Sequence, residues 1–273
     1  MRQIFEFSPE PKTRREDAFA SGTAVEDVAV RPSFENIEVE HVQVVPESRI
    51  VFHSEPRSPG ADRFRYLRMR LRELWDAGKL RSLLITSALP QDGKSTIALN
   101  LATALAEHGK RTVLLVEADL HHPTLTSQLG LKSLPGLAEC LEDGLDPMSA
   151  LRRIDPLGWY ILPSGRTERN PTDLLQPSVL AGVMAKLTPH FDWILFDAPP
   201  LGPLTDAISL SRFADASLLV VRAGKTPREA VEHAFALLGP KHVLGVVLNG
   251  LEGLDRVYSK YRAYYGKPTQ PAK

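Results

Sequence analysis

The stretch Leu83-Leu84-Ile85-Thr86-Ser87-Ala88-Leu89-Pro90-Gln91-Asp92-Gly93-Lys94-Ser95-Thr96 decides the fold. It runs from apolar residues through a turn of small residues into Gly-Lys-Ser-Thr, and a helical pattern follows at once. A strand ending in such a loop turns backbone N–H groups inward, aims a helix N-terminus at an anion and sets a lysine beside it, which together cradle nucleotide phosphates. Gln91, Asp92, Gly93, Lys94, Ser95 and Thr96 are the candidate phosphate-binding residues, with Lys94 for the β- and γ-phosphates and the Ser95 hydroxyl for Mg²⁺. The helix expected over 95–108 carries Ile97, Leu99, Leu101, Ala104 and Leu105 as an apolar stripe that anchors the loop on a core.

Beyond that loop, apolar runs alternate with amphipathic patterns. Strands are expected over 83–88, 112–118, 159–162, 193–197, 217–222 and 243–249, with helices over 178–187, 205–213 and 227–238. Apolar strands separated by helices mean a parallel sheet covered on both faces, so the expected fold is α/β, doubly wound and mainly parallel. Upstream, Ser58-Pro59 opens a helix over 59–74, where Phe64, Leu67, Leu71 and Leu74 recur every three or four residues and the other face is rich in arginine. Residues 1–57 hold 7 basic and 11 acidic side chains, with Pro9, Pro11, Pro32, Pro46 and Pro56 scattered among them. They read as a mostly disordered acidic extension with one strand in the alternating patch 37–44. The chain thus divides into an extension 1–57, a nucleotide-binding domain 58–255 and a basic tail 256–273.

Composition narrows the setting. Lys plus Arg and Asp plus Glu are each 33 of 273 residues, so no overall charge points to nucleic acid or to a membrane surface, and no nucleic-acid partner is expected. The single Cys140 excludes an internal disulfide framework and suits a reducing cytoplasm. No apolar run approaches the roughly 18 residues of a membrane span, so any membrane link is expected through a partner.

Phosphoryl transfer also needs carboxylates at neighbouring strand ends. Val113-Leu114-Leu115-Val116-Glu117-Ala118-Asp119 places Glu117 and Asp119 two apart at one strand end, and Trp193-Ile194-Leu195-Phe196-Asp197 ends another in Asp197. Carrying these residues, the chain resembles bacterial tyrosine kinases of the capsular and exopolysaccharide type, relatives of the P-loop partitioning ATPases. Thr86 to Ser95 is similar to the family's Walker A, Val116-Glu117-Ala118-Asp119-Leu120-His121-His122-Pro123 to its second acidic motif, and Phe196-Asp197-Ala198-Pro199-Pro200 to its Walker B. Gly245-Val246-Val247-Leu248-Asn249 resembles the strand whose asparagine contacts adenine, and Asp62-Arg63-Phe64-Arg65-Tyr66-Leu67-Arg68 the helix used for subunit contacts in rings. Partitioning ATPases carry an extra lysine where this chain has Leu89.

The resemblance implies an ATP- and Mg²⁺-dependent protein-tyrosine autokinase. Ser95, Asp119 and Asp197 would serve Mg²⁺, Glu117 or Asp119 would take the tyrosine proton, and Asp62, Arg65 and Arg68 would join subunits of a homo-oligomeric ring. By spacing alone those three are equally a solvated helix face. It further implies a cytoplasmic chain recruited to the inner face of the plasma membrane by a membrane adaptor of the polysaccharide export machinery. Tyr258, Tyr261, Tyr264 and Tyr265, four of the six tyrosines, lie together in the tail and match the family's autophosphorylation cluster. Tyr258, Tyr261 and Tyr265 also have helical spacing and could pack on the domain instead, and a basic aromatic tail is compatible with single-stranded nucleic acid.

Three positions depart from the family pattern. Gln91 replaces a usual glycine and is tolerated without strain at negative φ; Glu117 replaces an aspartate and carries its carboxylate one C–C bond further out; His121 replaces an arginine. His121-His122 is also a conceivable metal pair. These departures leave open a catalytically weak ATP-binding scaffold, or a partitioning-type ATPase, as alternatives to the kinase.

Overall fold

A computed structural model describes residues 34–202 and 205–251. In chain order it contains β1 (Glu38–His41), α1 (Val51–Ser54), α2 (Pro59–Asp76), β2 (Ser82–Ser87), α3 (Lys94–Ala106) and β3 (Val113–Glu117). Then follow α4 (Leu125–Gln128), α5 (Leu137–Glu142), α6 (Pro147–Ala150), β4 (Arg152–Asp155), β5 (Trp159–Leu162), α7 (Pro171–Leu174) and α8 (Pro177–Leu187). The last elements are β6 (Trp193–Asp197), α9 (Asp206–Ser211), β7 (Ala216–Arg222), α10 (Arg228–Leu238) and β8 (Val243–Asn249).

The described strands form one sheet in the order β1-β4-β5-β3-β6-β2-β7-β8. Every neighbouring pair is parallel except β4 with β5. The mainly parallel, doubly wound expectation holds, and the reason is visible residue by residue. Successive side chains of a strand point to opposite faces. Leu83, Ile85, Val113, Leu115, Trp193, Leu195, Leu218 and Val220 pack on one side with α2 and α3. Leu84, Leu114, Val116, Ile194, Phe196, Leu219 and Val221 pack on the other with α5, α8, α9 and α10. A strand buried on both faces reads as a continuous apolar run, which is why β2, β3, β6 and β7 were legible; the edge strand β8 is legible as an apolar run although Leu248 is exposed.

The expected helix over 59–74 extends to Asp76, with Ser58 as its N-cap accepting the Ala61 N–H and Pro59 at its first position. The boundary expected at residue 58 is not the edge of the packed unit. Strand β1 lies on the sheet beside β4, and Ile50 is fully buried. Asn100 of α3 fastens this segment: its Oδ1 accepts the Phe52 N–H at 3.0 Å, and its amide donates to the carbonyls of Arg49 at 2.8 Å and Thr96 at 2.9 Å. Phe34 stacks on Tyr160 with ring centroids 4.9 Å apart. Residues 34–57 therefore pack on the domain rather than extending from it, and the one strand expected within 37–44 is β1. Strand β4, Arg-Arg-Ile-Asp, was not anticipated; it buries only Ile154 and forms a hairpin with β5, next to the edge strand β1.

On α2, Asp62 and Arg65 pair at 2.7 Å on one exposed face, as their spacing predicts. Arg68 reaches the Ala104 carbonyl at 3.2 Å, and both arginines lie over the Phe52 ring. In the single chain these residues hold α2 against α1 and α3. Among the described residues no helix is long and apolar enough to cross a membrane. The tyrosines at 258, 261, 264 and 265 lie outside the described residues.

Candidate nucleotide-binding and phosphoryl-transfer site

Strand β2 lies between β6 and β7, so its C-terminal end opens between two parallel neighbours. The loop that follows is fixed by its neighbours more than by its own sequence. Asp92 accepts the Leu89 N–H at 3.1 Å and the Thr226 hydroxyl at 2.8 Å, and the Thr226 oxygen also accepts the Arg222 N–H at 2.9 Å. Arg222 donates from Nη1 to the Gln91 carbonyl at 3.0 Å. Asn249, at the end of β8, donates from Nδ2 to the Asp92 carbonyl at 2.9 Å. The asparagine expected at adenine thus uses its amide to brace the phosphate loop. Arg222 and Thr226 were missed because Arg-Ala-Gly-Lys-Thr-Pro ahead of a helix looks like an ordinary loop and cap.

Gln91 departs from expectation. Its φ is 64°, in the left-handed region rather than at negative φ. A non-glycine residue held there costs on the order of 1–3 kcal/mol, and a glycine gives back about 0.5–1 kcal/mol of that in chain entropy. The exposed Gln91 side chain buries little to compensate. Gln91→Gly is therefore expected to stabilise the chain by about 1 kcal/mol in urea unfolding; a loss of stability would show that the glutamine side chain contributes something to the loop.

Gly93 has φ 97° and caps α3 with no side-chain hydrogen bond, so side chains leave the first-turn amides of Lys94, Ser95 and Thr96 uncapped. A helix end with uncapped N–H groups and its positive dipole end is suited to an anion. The Lys94 ammonium lies 2.8 Å from Asp119 Oδ2, with both side chains nearly buried. Burial by itself would lower the lysine's pKa, but the carboxylates of Asp197, Asp119 and Glu117 outweigh it and hold the ammonium above its ordinary value.

The acids meet where the register brings β3 and β6 level. Glu117 is paired with Asp197, so both project to the α3 side, the same face as Leu115 and Leu195. Asp197 is fully buried, and neither of its oxygens has a hydrogen-bond partner of normal geometry. Burial pushes its pKa up to about 6; Lys94 and the nearby Ser95 hydroxyl pull it back, while Asp119 and Glu117 add to the rise. Asp119 lies past the strand end, its Oδ1 accepting the His122 N–H at 3.0 Å.

Glu117 does not fit the role of proton acceptor. It is fully buried, its Oε1 accepts the N–H groups of Leu125 at 2.6 Å and Thr126 at 3.3 Å, and its Oε2 accepts that of Ser164 at 3.1 Å. Both oxygens face backbone amides. His121 turns away from a metal pair with His122: its Nε2 lies 2.9 Å from the buried Asp206 Oδ2 and 3.5 Å from the Thr172 hydroxyl.

A divalent cation suits this arrangement. Asp197 offers two unpartnered oxygens, Ser95 a hydroxyl, and the acidic side chains outnumber the lysine. Among the described residues no three His, Cys, Asp or Glu side chains cluster to hold a metal by themselves. Mg²⁺ is a cation that takes one or two protein oxygens and completes its shell with substrate phosphates and water.

Comparison with known proteins agrees with this geometry. Residues 85–237, more than half the chain, match the sequence model of the family described as "Cellulose biosynthesis protein BcsQ". The chain is 32% identical to "Tyrosine-protein kinase YwqD" of Bacillus subtilis (strain 168), over 81% of its own length and 92% of that protein's. It is also 32% identical to "Succinoglycan biosynthesis transport protein ExoP" of Rhizobium meliloti (strain 1021), over 81% of this chain and 30% of that longer one. The crystal structure of the chimerical protein CapA2B2 superposes with a TM-score of 0.70 at 28% identity, over 79% of this chain and 95% of that one. The BcsQ match spans the core from β2 to α10 and stops short of β8, whereas the kinase relatives cover most of the chain. With a P-loop flanked by strand-end acids, and with this degree of identity, the chain belongs to the bacterial tyrosine-protein kinase family of the capsular and exopolysaccharide type, a branch of the P-loop ATPases.

Proposed function

We propose that the chain is an ATP- and Mg²⁺-dependent protein-tyrosine autokinase that phosphorylates its own tail at Tyr258, Tyr261, Tyr264 and Tyr265 in trans. The observation that carries this reading is the Lys94–Asp119 pair at 2.8 Å beside the unpartnered Asp197 carboxylate, at the uncapped N-terminus of α3. The amides of 91–96 and the Lys94 ammonium hold phosphates. Ser95 and Asp197 would hold Mg²⁺, which would supply charge neutralisation at the phosphates. Asp119, which has one backbone N–H partner at Oδ1 and the Lys94 ammonium at Oδ2, is the carboxylate assigned to the tyrosine proton in preference to Glu117, which accepts three backbone N–H groups. Tail phosphates would add about −1.5 to −2 charges each among Arg256, Lys260 and Arg262.

Subunit contact through α2 is supported by its outward face, where Asp62, Tyr66, Met69 and Glu73 stand exposed at helical spacing. A membrane adaptor is supported by the match to about a third of ExoP, a protein whose name is that of a transport protein. Its role would be to recruit this chain to the inner face of the membrane. The site Glu117 leaves for catalysis favours one second reading, an ATP-binding scaffold that assembles without transferring phosphate.

Mass spectrometry after incubation with Mg²⁺–ATP, with and without cytoplasmic segments of candidate adaptors, separates the two. Tail phosphotyrosine that disappears in Lys94→Met, and in a chain with phenylalanine at all four tail tyrosines, is the expected result. Tight ATP binding with no phosphotyrosine under any of these conditions would overturn the kinase and leave the scaffold.

A further inference from the structure

We infer that His121 is a positioning residue for phosphoryl transfer: its hydrogen bond to the buried Asp206 carboxylate anchors the turn that carries Asp119. This rests on the reading of Asp119 as the carboxylate that takes the tyrosine proton.

The turn has little of its own to hold it. Strand β3 ends at Glu117, the Ala118 N–H bonds to the Asp197 carbonyl at 2.9 Å, and α4 begins only at Leu125. Between them Asp119 Oδ1 accepts the His122 N–H at 3.0 Å, which closes the turn on itself without tying it to the rest of the domain. Asp119 Oδ2 meets the Lys94 ammonium at 2.8 Å. That ammonium is also the group that receives phosphate, so its three N–H donors are divided once nucleotide binds. A base that shares a partner with the substrate needs an anchor that the substrate does not touch.

His121, two residues further on, supplies it. Its Nε2 lies 2.9 Å from Asp206 Oδ2. An ionised carboxylate offers only lone pairs, so the ring nitrogen donates. Asp206 opens α9, whose Ala207 and Leu210 are fully buried in the core beneath Leu84 and Phe196, so the acceptor stands on a fixed platform. Asp206 Oδ1 is buried with no hydrogen-bond partner among the described residues, and removing His121 would leave that buried charge worse satisfied still. The Thr172 hydroxyl of α7 borders the pair, 3.5 Å from the same Nε2 and at the limit of hydrogen-bond reach. The bond from His121 therefore ties the segment after β3 to the segment after β6, the strand that ends in Asp197.

What position 121 needs is then a donor in reach of Asp206, rather than a cation facing phosphate. Arginine, the residue of the family pattern, is also a donor, and its fork can serve both oxygens of one carboxylate. Histidine keeps one of those two bonds.

The test is the rate of tail phosphorylation at saturating Mg²⁺–ATP, read by mass spectrometry, beside ATP affinity by calorimetry. Both are measured on the full chain and on His121→Phe, His121→Gln, Asp206→Ala and the double variant His121→Phe with Asp206→Ala. Phenylalanine keeps a ring and removes the donor, whereas the glutamine amide carries an N–H close to where Nε2 stands. His121→Phe is expected to slow phosphorylation about tenfold to a hundredfold with ATP affinity within about twofold, and His121→Gln to return the rate to within about fivefold of wild type. Asp206→Ala should lose as much as His121→Phe and the double variant no more than either, because the same bond is broken in all three. Hydrogen exchange at the amides of 119–122, with ATP bound, should quicken in His121→Phe and slow again in His121→Gln. An undiminished rate in His121→Phe, a rate in His121→Gln as low as in His121→Phe, losses that multiply in the double variant, or ATP affinity falling in step with the rate would each overturn the inference. A wild-type chain with no tail phosphotyrosine would overturn the kinase reading instead; exchange would then decide the anchor by itself, and unchanged exchange in His121→Phe would overturn it.

Discussion

Asp197→Asn is expected to lower tail phosphorylation on the order of 10²–10³-fold while making the nucleotide-free chain more stable at pH 7.5. Asp197 is fully buried with two unpartnered oxygens, so its charge is held at a cost that binding recovers and folding does not. The sign of the pH dependence follows from its raised pKa. The folded chain keeps the proton that the unfolded chain loses near 3.8, so the contribution to stability is greatest below that value and is lost as pH rises through about 6. A shift from 3.8 to about 6 corresponds to roughly 3 kcal/mol at most. Part of this is offset in the variant, because Lys94 loses an attractive neighbour and a buried amide also wants partners. A net gain of about 1 kcal/mol at pH 7.5 is the expectation, shrinking or reversing at pH 4.5. Denaturant unfolding at both pH values, without nucleotide, checks it. A stability difference that does not move with pH would mean that Asp197 carries no such penalty.

Gly93→Ala should disrupt the site through two independent faults. At φ 97° an L side chain is strained, which costs on the order of 1–3 kcal/mol. The new methyl would also collide with Asn249 Nδ2, the atom that holds the Asp92 carbonyl. The asparagine must swing aside, so the loop loses a brace and adds strain. A destabilisation of about 2–4 kcal/mol and at least a hundredfold weaker ATP binding are expected, checked by urea unfolding and calorimetry. Pairing it with Asn249→Ala separates the faults, since the smaller residue removes the collision and leaves the backbone strain. Equal ATP affinity in Gly93→Ala and wild type would show that the loop takes another conformation when it binds nucleotide.

The central strands and the phosphate loop were legible because their signals are local. A β-strand buried on both faces is a run of apolar residues, and Gly93-Lys94-Ser95 reports a helix start that nothing further along the chain needs to complete. Strand β4 carried no such signal: two arginines and an aspartate surround Ile154, and the segment is a strand because β1 and β5 lie on either side of it. Ile50-Val51-Phe52 is likewise only a short apolar triplet in an acidic segment until Asn100 fastens that stretch to α3.

By itself, then, the amino-acid sequence determined the P-loop architecture and which acids stand at the ends of β3 and β6, because strand and helix periodicities are properties of neighbouring residues. Only the tertiary structure decided what those acids do. Glu117 and Asp197 lie level in the sheet, yet one is enclosed by the amides of Leu125, Thr126 and Ser164 and the other by none. A carboxylate's role depends on what occupies its lone pairs, and those partners come from segments up to 47 residues away, beyond the reach of any local pattern.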